Sequence, residues 1–99
     1  MSIMSLDSNI EVLIADDHEL VREGICKLLE LYDELEVIGE AGDGLETVSM
    51  VRDKFPDLVL LDLNMPRMNG INAVKKIKEI SPKIKVLILT IHDEEEYIY

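Results

Sequence analysis

Hydrophobic residues fall along this chain in two alternating rhythms. Four short runs carry consecutive apolar residues: Val12-Leu13-Ile14-Ala15, Val37-Ile38, Leu58-Val59-Leu60-Leu61 and Val86-Leu87-Ile88-Leu89. Runs without polar alternation predict strands covered on both faces, the kind found in parallel sheets flanked by helices. Between the runs the spacing becomes helical. Over residues 19–32, Val21, Ile25, Leu28, Leu29 and Tyr32 share one helix face, with Asp17 placed to cap the N-terminus. Over residues 44–55, Leu45, Val48, Val51 and Phe55 repeat the pattern until Pro56 stops it. Residues 70–80 repeat it through Ile71, Val74, Ile77 and Ile80, with Pro82 beyond, and residues 93–99 read as the acidic first turn of a fourth helix. The order βαβαβαβα predicts an α/β fold: an open parallel sheet with right-handed crossovers and helices on both faces. No internal repeat, low-complexity tract or interdomain linker interrupts it. Residues 1–9 are expected to form a mobile tail and residues 10–99 the domain.

Composition narrows the function classes. The 99 residues suit one domain, and 47% of them are apolar, enough for a packed core. Acidic residues number 21 against 10 basic, a formal charge of −11, which argues against electrostatic binding of nucleic acid by this segment. No apolar run approaches the roughly 20 residues that span a bilayer, and the start has neither the positive charge nor the apolar stretch of a secretory signal. Cys26 is the one cysteine, so an internal disulfide is impossible. A cytoplasmic location fits these features.

The polar residues matter through their position. Asp16 and Asp17 end the first strand, Asp62 the third and Thr90 the fourth. In open α/β sheets, ligands bind outside the carboxyl ends of strands, beside the point where strand order reverses. An order 2-1-3-4 would bring Asp16, Asp17 and Asp62 into one shallow cleft, although spacing alone does not supply that order. Three carboxylates a few ångströms apart oppose mutual ionisation, and a hard divalent cation such as Mg²⁺ removes the conflict. An aspartate beside such an ion can attack phosphorus and become an aspartyl phosphate. Thr90 offers a hydroxyl that could donate to the new phosphoryl oxygens. Taken singly, each residue has a plainer reading. Asp16-Asp17 can be a helix cap with a solvated neighbour, Asp62 a loop carboxylate and Thr90 a β-branched strand end.

Three segments, VLIADDHELVREGI, PDLVLLDLNMPRMNG and KVLILTIHDEEEYI, carry a joint resemblance. Through them, residues 10–99 resemble the receiver domain of a bacterial two-component response regulator. The Asp-Asp-His start and the EVIGEAGDG segment resemble the NarL/LuxR-type subgroup in particular. The resemblance implies a flavodoxin-like, CheY-like sheet in the order 2-1-3-4 with a fifth strand to follow. It implies Asp62 as phosphoacceptor, Asp17 as direct metal ligand and Asp16 as its partner through water. It further implies the main-chain carbonyl of Asn64 as the remaining protein ligand and Thr90 as a switch hydroxyl. Mg²⁺ is the implied cofactor, with Mn²⁺ as an alternative, and a sensor histidine kinase the implied phosphoryl donor. DNA would be contacted only through a C-terminal helix-turn-helix domain that these residues do not include. The family pattern continues into a fifth strand, bearing a lysine and an aromatic switch residue, and a fifth helix; the residues here stop within its fourth helix. That leaves the fourth strand an expected exposed edge, open to homo-oligomer formation through that strand or the fourth helix.

The implied role is that of a regulatory phosphoacceptor and not a turnover enzyme. One rival is an interaction module that keeps the fold without phosphorylation. The other is an aspartate-nucleophile phosphatase, but such enzymes resemble Asp-x-Asp, and Asp62-Leu63-Asn64 lacks the second acid. A flavin site is disfavoured because no glycine-rich phosphate loop follows the first strand. Elsewhere, Gly42-Asp43-Gly44 reads as a turn and helix cap. Residues 65–70 read as a turn and helix start in which Gly70 tolerates an unusual φ. His18 is either solvated or at the cleft rim, His92 is equally ambiguous, and Cys26 is expected as a buried, inert thiol.

Overall fold

The computed structural model describes residues 9–63, 65 and 67–89 and the backbone of residues 96–98. The four apolar runs form β1 (Ile10–Ala15), β2 (Leu35–Ala41), β3 (Leu58–Asp62) and β4 (Lys85–Leu89). They pair in parallel in the order β2-β1-β3-β4. The helices α1 (Glu19–Leu29), α2 (Gly44–Lys54) and α3 (Gly70–Ile80) connect them. Alternate side chains of each strand enter different layers. Leu13, Ala15, Val59, Leu61, Val86 and Ile88 pack with Val48 and Val51 of α2 and Ala73 and Ile77 of α3. Val12, Ile14 and Leu60 face the other way, onto Ile25, Cys26 and Leu29 of α1.

One irregularity shapes the β2 edge. Val12 pairs with Val37, but Leu13 pairs with Gly39, so Ile38 is an extra residue in a bulge. The missing side chain of Gly39 matters here, because a Cβ would lie 3.1 Å from Leu13 Cδ1 and 3.4 Å from Met50 Sδ.

Local chemistry explains most helix ends. Asp43 caps α2 by accepting from Glu46 N–H at 2.8 Å, while Glu46 Oε1 accepts from Gly42 N–H at 2.7 Å. That reciprocal pair satisfies two donors at the helix start. Asn69 caps α3 in the same way, accepting from Asn72 N–H at 2.9 Å. At the end of α2, Phe55 turns left-handed (φ 45°) before Pro56, which cannot continue a helix.

Four expectations need correction. The cap of α1 is His18 and not Asp17, because Asp17 directs its carboxylate at the His18 ring instead of at the first turn. The same helix ends at Leu29 and not at Tyr32: Tyr32 is 57% exposed, so the apolar spacing there has nothing to bury against. No described glycine has a positive φ. Gly70 serves close packing, since a Cβ would come 2.6 Å from Leu63 Cα, and the left-handed residue of that loop is Arg67 (φ 72°).

The fourth correction concerns the expected fourth helix. Residues 93–95 and 99 lie outside the described residues, but Glu96–Ile98 is a strand, β5, antiparallel to β4. Leu87 pairs with Ile98, Ile88 with Tyr97 and Leu89 with Glu96, so the edge expected to be open is covered there by the same chain. The physical reason is nonlocal. A single helical turn is a costly nucleus, whereas aromatic and β-branched residues beside a row of unpaired strand groups gain ladder hydrogen bonds at once.

Candidate functional site

Parallel pairing brings the carboxyl ends of β1 and β3 side by side, with Ala15 opposite Leu61. Asp62 is the last residue of β3, and Asp16 and Asp17 follow β1 directly. Asp16 N–H donates to the Ala41 carbonyl at 3.0 Å, which ties the start of this loop to β2 as well. Asp16 is buried at 6% exposure and Asp62 at 9%, while the side chain of Asp17 is 31% exposed. The cluster therefore has a closed floor and an open lip.

One potential ligand atom from each of Asp16, Asp17, His18 and Asp62 lies within 4.8 Å of all the others. Two oxygens bound to one Mg²⁺ sit roughly 3–4 Å apart on an octahedron with 2.0–2.1 Å bonds. The carboxylate oxygens are hard donors gathered closely enough that they could hold a metal ion. Mutual repulsion among the three acids points the same way.

His18 is a site residue whose importance the sequence leaves open. Its main-chain N–H donates to Asp16 Oδ1 at 2.7 Å. Its Nδ1 lies 3.0 Å from Asp16 Oδ1 and 3.0 Å from Asp17 Oδ1. The hydrogen bond with Asp16, then the charge of Asp17, raise its pKa above the usual 6.5. The adjacency Asp-Asp-His after an apolar run is the signal available in the sequence. Imidazole is a poor partner for a hard ion, so His18 is read as a hydrogen-bonding neighbour of Asp16 and Asp17. Asn64, Thr90 and His92 lie outside the described residues.

The loop after Asp62 is held from beneath. A Cβ at Gly44 would run into the Met68 carbonyl oxygen, so only glycine lets this loop rest on the start of α2. Arg67 Nη1 lies 3.6 Å from Asp43 Oδ2 on the same turn, and Met65 is buried in the core. Cys26 is half-buried on α1, and burial, followed by a hydrogen bond with Glu40, pushes its thiol from 9.0 up to about 11. The expectation of a buried thiol is corrected: Cys26 lies on a helix with no fully buried residue and is itself only partly enclosed.

The family model for the response regulator receiver domain matches residues 12–99. The chain belongs to that family. Among curated relatives, the transcriptional regulatory protein DegU of Brevibacillus brevis is 40% identical over 92 residues, covering 93% of this chain and 39% of that protein. The oxygen regulatory protein NreC of Staphylococcus carnosus is 42% identical over 91 residues, covering 91% of this chain and 42% of that protein. This receiver domain therefore spans about two fifths of the relatives it matches. Among solved structures, the receiver domain of the response regulator NarL from Mycobacterium tuberculosis superposes with a TM-score of 0.82 at 34% identity, covering 88% of this chain and 70% of that one. The isolated receiver domain of RcsB from Salmonella enterica serovar Typhimurium, solved with the phosphomimetic BeF3−, gives 0.79 at 33% identity, covering 86% and 64%. The NarL/LuxR-type resemblance and the CheY-like sheet order are both correct. No described helix of this receiver domain is long and apolar enough to cross a membrane.

Proposed function

We propose that this receiver domain takes a phosphoryl group on Asp62 from a sensor histidine kinase, in a Mg²⁺-dependent reaction, within a cytoplasmic regulator of transcription. The observation that carries this reading is the convergence of Asp16, Asp17 and Asp62 within 4.8 Å at the ends of two adjacent strands. Asp17 and Asp16 would hold the ion, with the Asn64 carbonyl as the remaining protein ligand; Mn²⁺ would fit the same oxygens. Bound there, the cation supplies positive charge that neutralises the oxygens of the incoming phosphoryl group. A carboxylate attacks phosphorus without needing a base to remove a proton. As the Asp62 oxygen–phosphorus bond forms, the bond from phosphorus to the donor breaks and its electron pair leaves with the donor. The Thr90 hydroxyl would then donate to a phosphoryl oxygen and bias a two-state surface.

The relatives support this reading as regulators. One of them, RcsB, has been solved on promoter DNA with phosphomimetic BeF3−. DNA contact by the parent of this chain is assigned to a separate domain, because a charge of −11 repels phosphates. Incubation with acetyl phosphate and Mg²⁺ followed by intact mass tests the chemistry. One phosphoryl group should be gained, and none after Asp62→Asn or with chelator present. A gain that survives Asp62→Asn would refute the assignment.

A further inference from the structure

We infer that Arg22 is a positioning residue for the acidic site, bracing the main chain of residues 16–18 so that Asp16 and Asp17 present their carboxylates together. The inference rests on the metal-binding reading above. Arg22 lies in the first turn of α1, and its side chain reaches back to the start of this three-residue loop. Its Nη1 donates to the Asp16 carbonyl oxygen at 2.6 Å, whereas the 3.0 Å main-chain bond from residue 22 to the His18 carbonyl is the ordinary opening bond of the helix. On its other side the guanidinium is held by Glu40 of β2, whose Oε1 accepts from Nε at 3.3 Å. The Arg22 side chain is only 18% exposed, so its part-buried bond to the Asp16 carbonyl is partly shielded from water, while Glu40, at 42%, meets it from the exposed side.

The loop needs such a brace. It carries two neighbouring carboxylates that repel each other and the third at Asp62, and rotation of the Asp16 peptide would swing both away from β3. The fork of donors on arginine reaches the Asp16 carbonyl and Glu40 at once. Lysine keeps the charge but is a single point, so it can serve only one of them well. Arg22 is therefore a support to the carboxylates, acting through Asp16 and contacting neither the phosphoryl group nor the ion.

The test uses Mg²⁺ alone, titrated against the whole chain while the amide signals of residues 16–18 are followed by NMR. Arg22→Ala should weaken Mg²⁺ binding about 10- to 100-fold, the usual cost of removing a group that orients a ligand. Arg22→Lys should recover part of the loss, and Glu40→Gln should weaken binding less than Arg22→Ala. Unchanged Mg²⁺ affinity in folded Arg22→Ala overturns the inference, as does an equal loss in the remote, comparably destabilised Ile80→Ala. Should Arg22→Ala not fold, unchanged affinity in both Arg22→Lys and Glu40→Gln overturns it instead. A parent chain that binds no Mg²⁺ refutes the metal reading and this inference together. Mg²⁺ binding without phosphoryl gain refutes the phosphoacceptor reading and leaves Arg22 standing.

Discussion

The two faces of the sheet are built differently. Beneath α2 and α3, strand residues meet buried partners from both helices, and Val51, Ala73 and Ile77 are fully enclosed. Beneath α1 the helix contributes no buried residue at all, while Leu28 and Leu31 stand 61% and 75% exposed. The polar links that reach the acidic site, from His18, Arg22 and Glu40, nevertheless lie on this second side. One layer thus supplies cohesion and the other supplies control of the loop at residues 16–18. Substitutions should separate the two.

The largest contrast is expected in the cores. Ile77→Ala empties a fully enclosed position and should cost about 2–5 kcal/mol in urea unfolding. Leu28→Ala, which removes an exposed side chain, should stay within about 0.5 kcal/mol. Equal costs would erase the distinction between the layers.

Two glycines give the next contrast. Gly44→Ala drives a methyl group into the Met68 backbone and should destabilise by about 1–3 kcal/mol. Gly24, within α1, has open space where a methyl group would go, so Gly24→Ala should stabilise by about 0.5–1 kcal/mol through helix propensity. Urea unfolding of the two variants side by side checks both signs.

The smallest effect is one of pH and belongs to the α1 side. The Cys26 thiol is raised from 9.0 to about 11, so the folded chain keeps a proton that the unfolded chain releases first. The resulting stability is intact below about pH 9, declines as the pH rises towards about 11, and then levels off. Urea unfolding of Cys26→Ser should lack that decline. Native Cys26 should also alkylate slowly at pH 8 and faster after Glu40→Gln, because thiolate is the reactive form.

How much of the molecule is legible in the sequence follows from what each element depends on. β1 and β3 are enclosed on both sides, so apolar composition alone marks them. The starts of α2 and α3 carry their own caps in Asp43 and Asn69, and both helices lie where periodicity and Pro56 or Pro82 indicate. α1 reads too long from its spacing because Tyr32 keeps the right period while facing solvent, and spacing cannot report what lies opposite. The strand at residues 96–98 escapes a local reading because its partner, β4, offers pairing that no helix pattern anticipates. In the site, Asp16, Asp17 and Asp62 are identifiable from strand ends together with the family resemblance. The reach of Arg22 to a backbone carbonyl and the double contact of His18 depend on three-dimensional placement, which no residue type announces.

The bulge at Ile38 has a consequence for where charge sits. In an extended strand, parity decides which layer a residue enters, and a shift of one place reverses it for every residue that follows. Because Ile38 is passed over in the pairing, Gly39 and Ala41 fall under α2, and Glu40 falls on the side where Arg22 waits. Were Ile38 paired in step opposite Leu13, the carboxylate would point into the oily layer and the guanidinium would face a bare glycine. The anchoring of the acidic loop is therefore written in one skipped rung of a neighbouring ladder as much as in the identity of its residues.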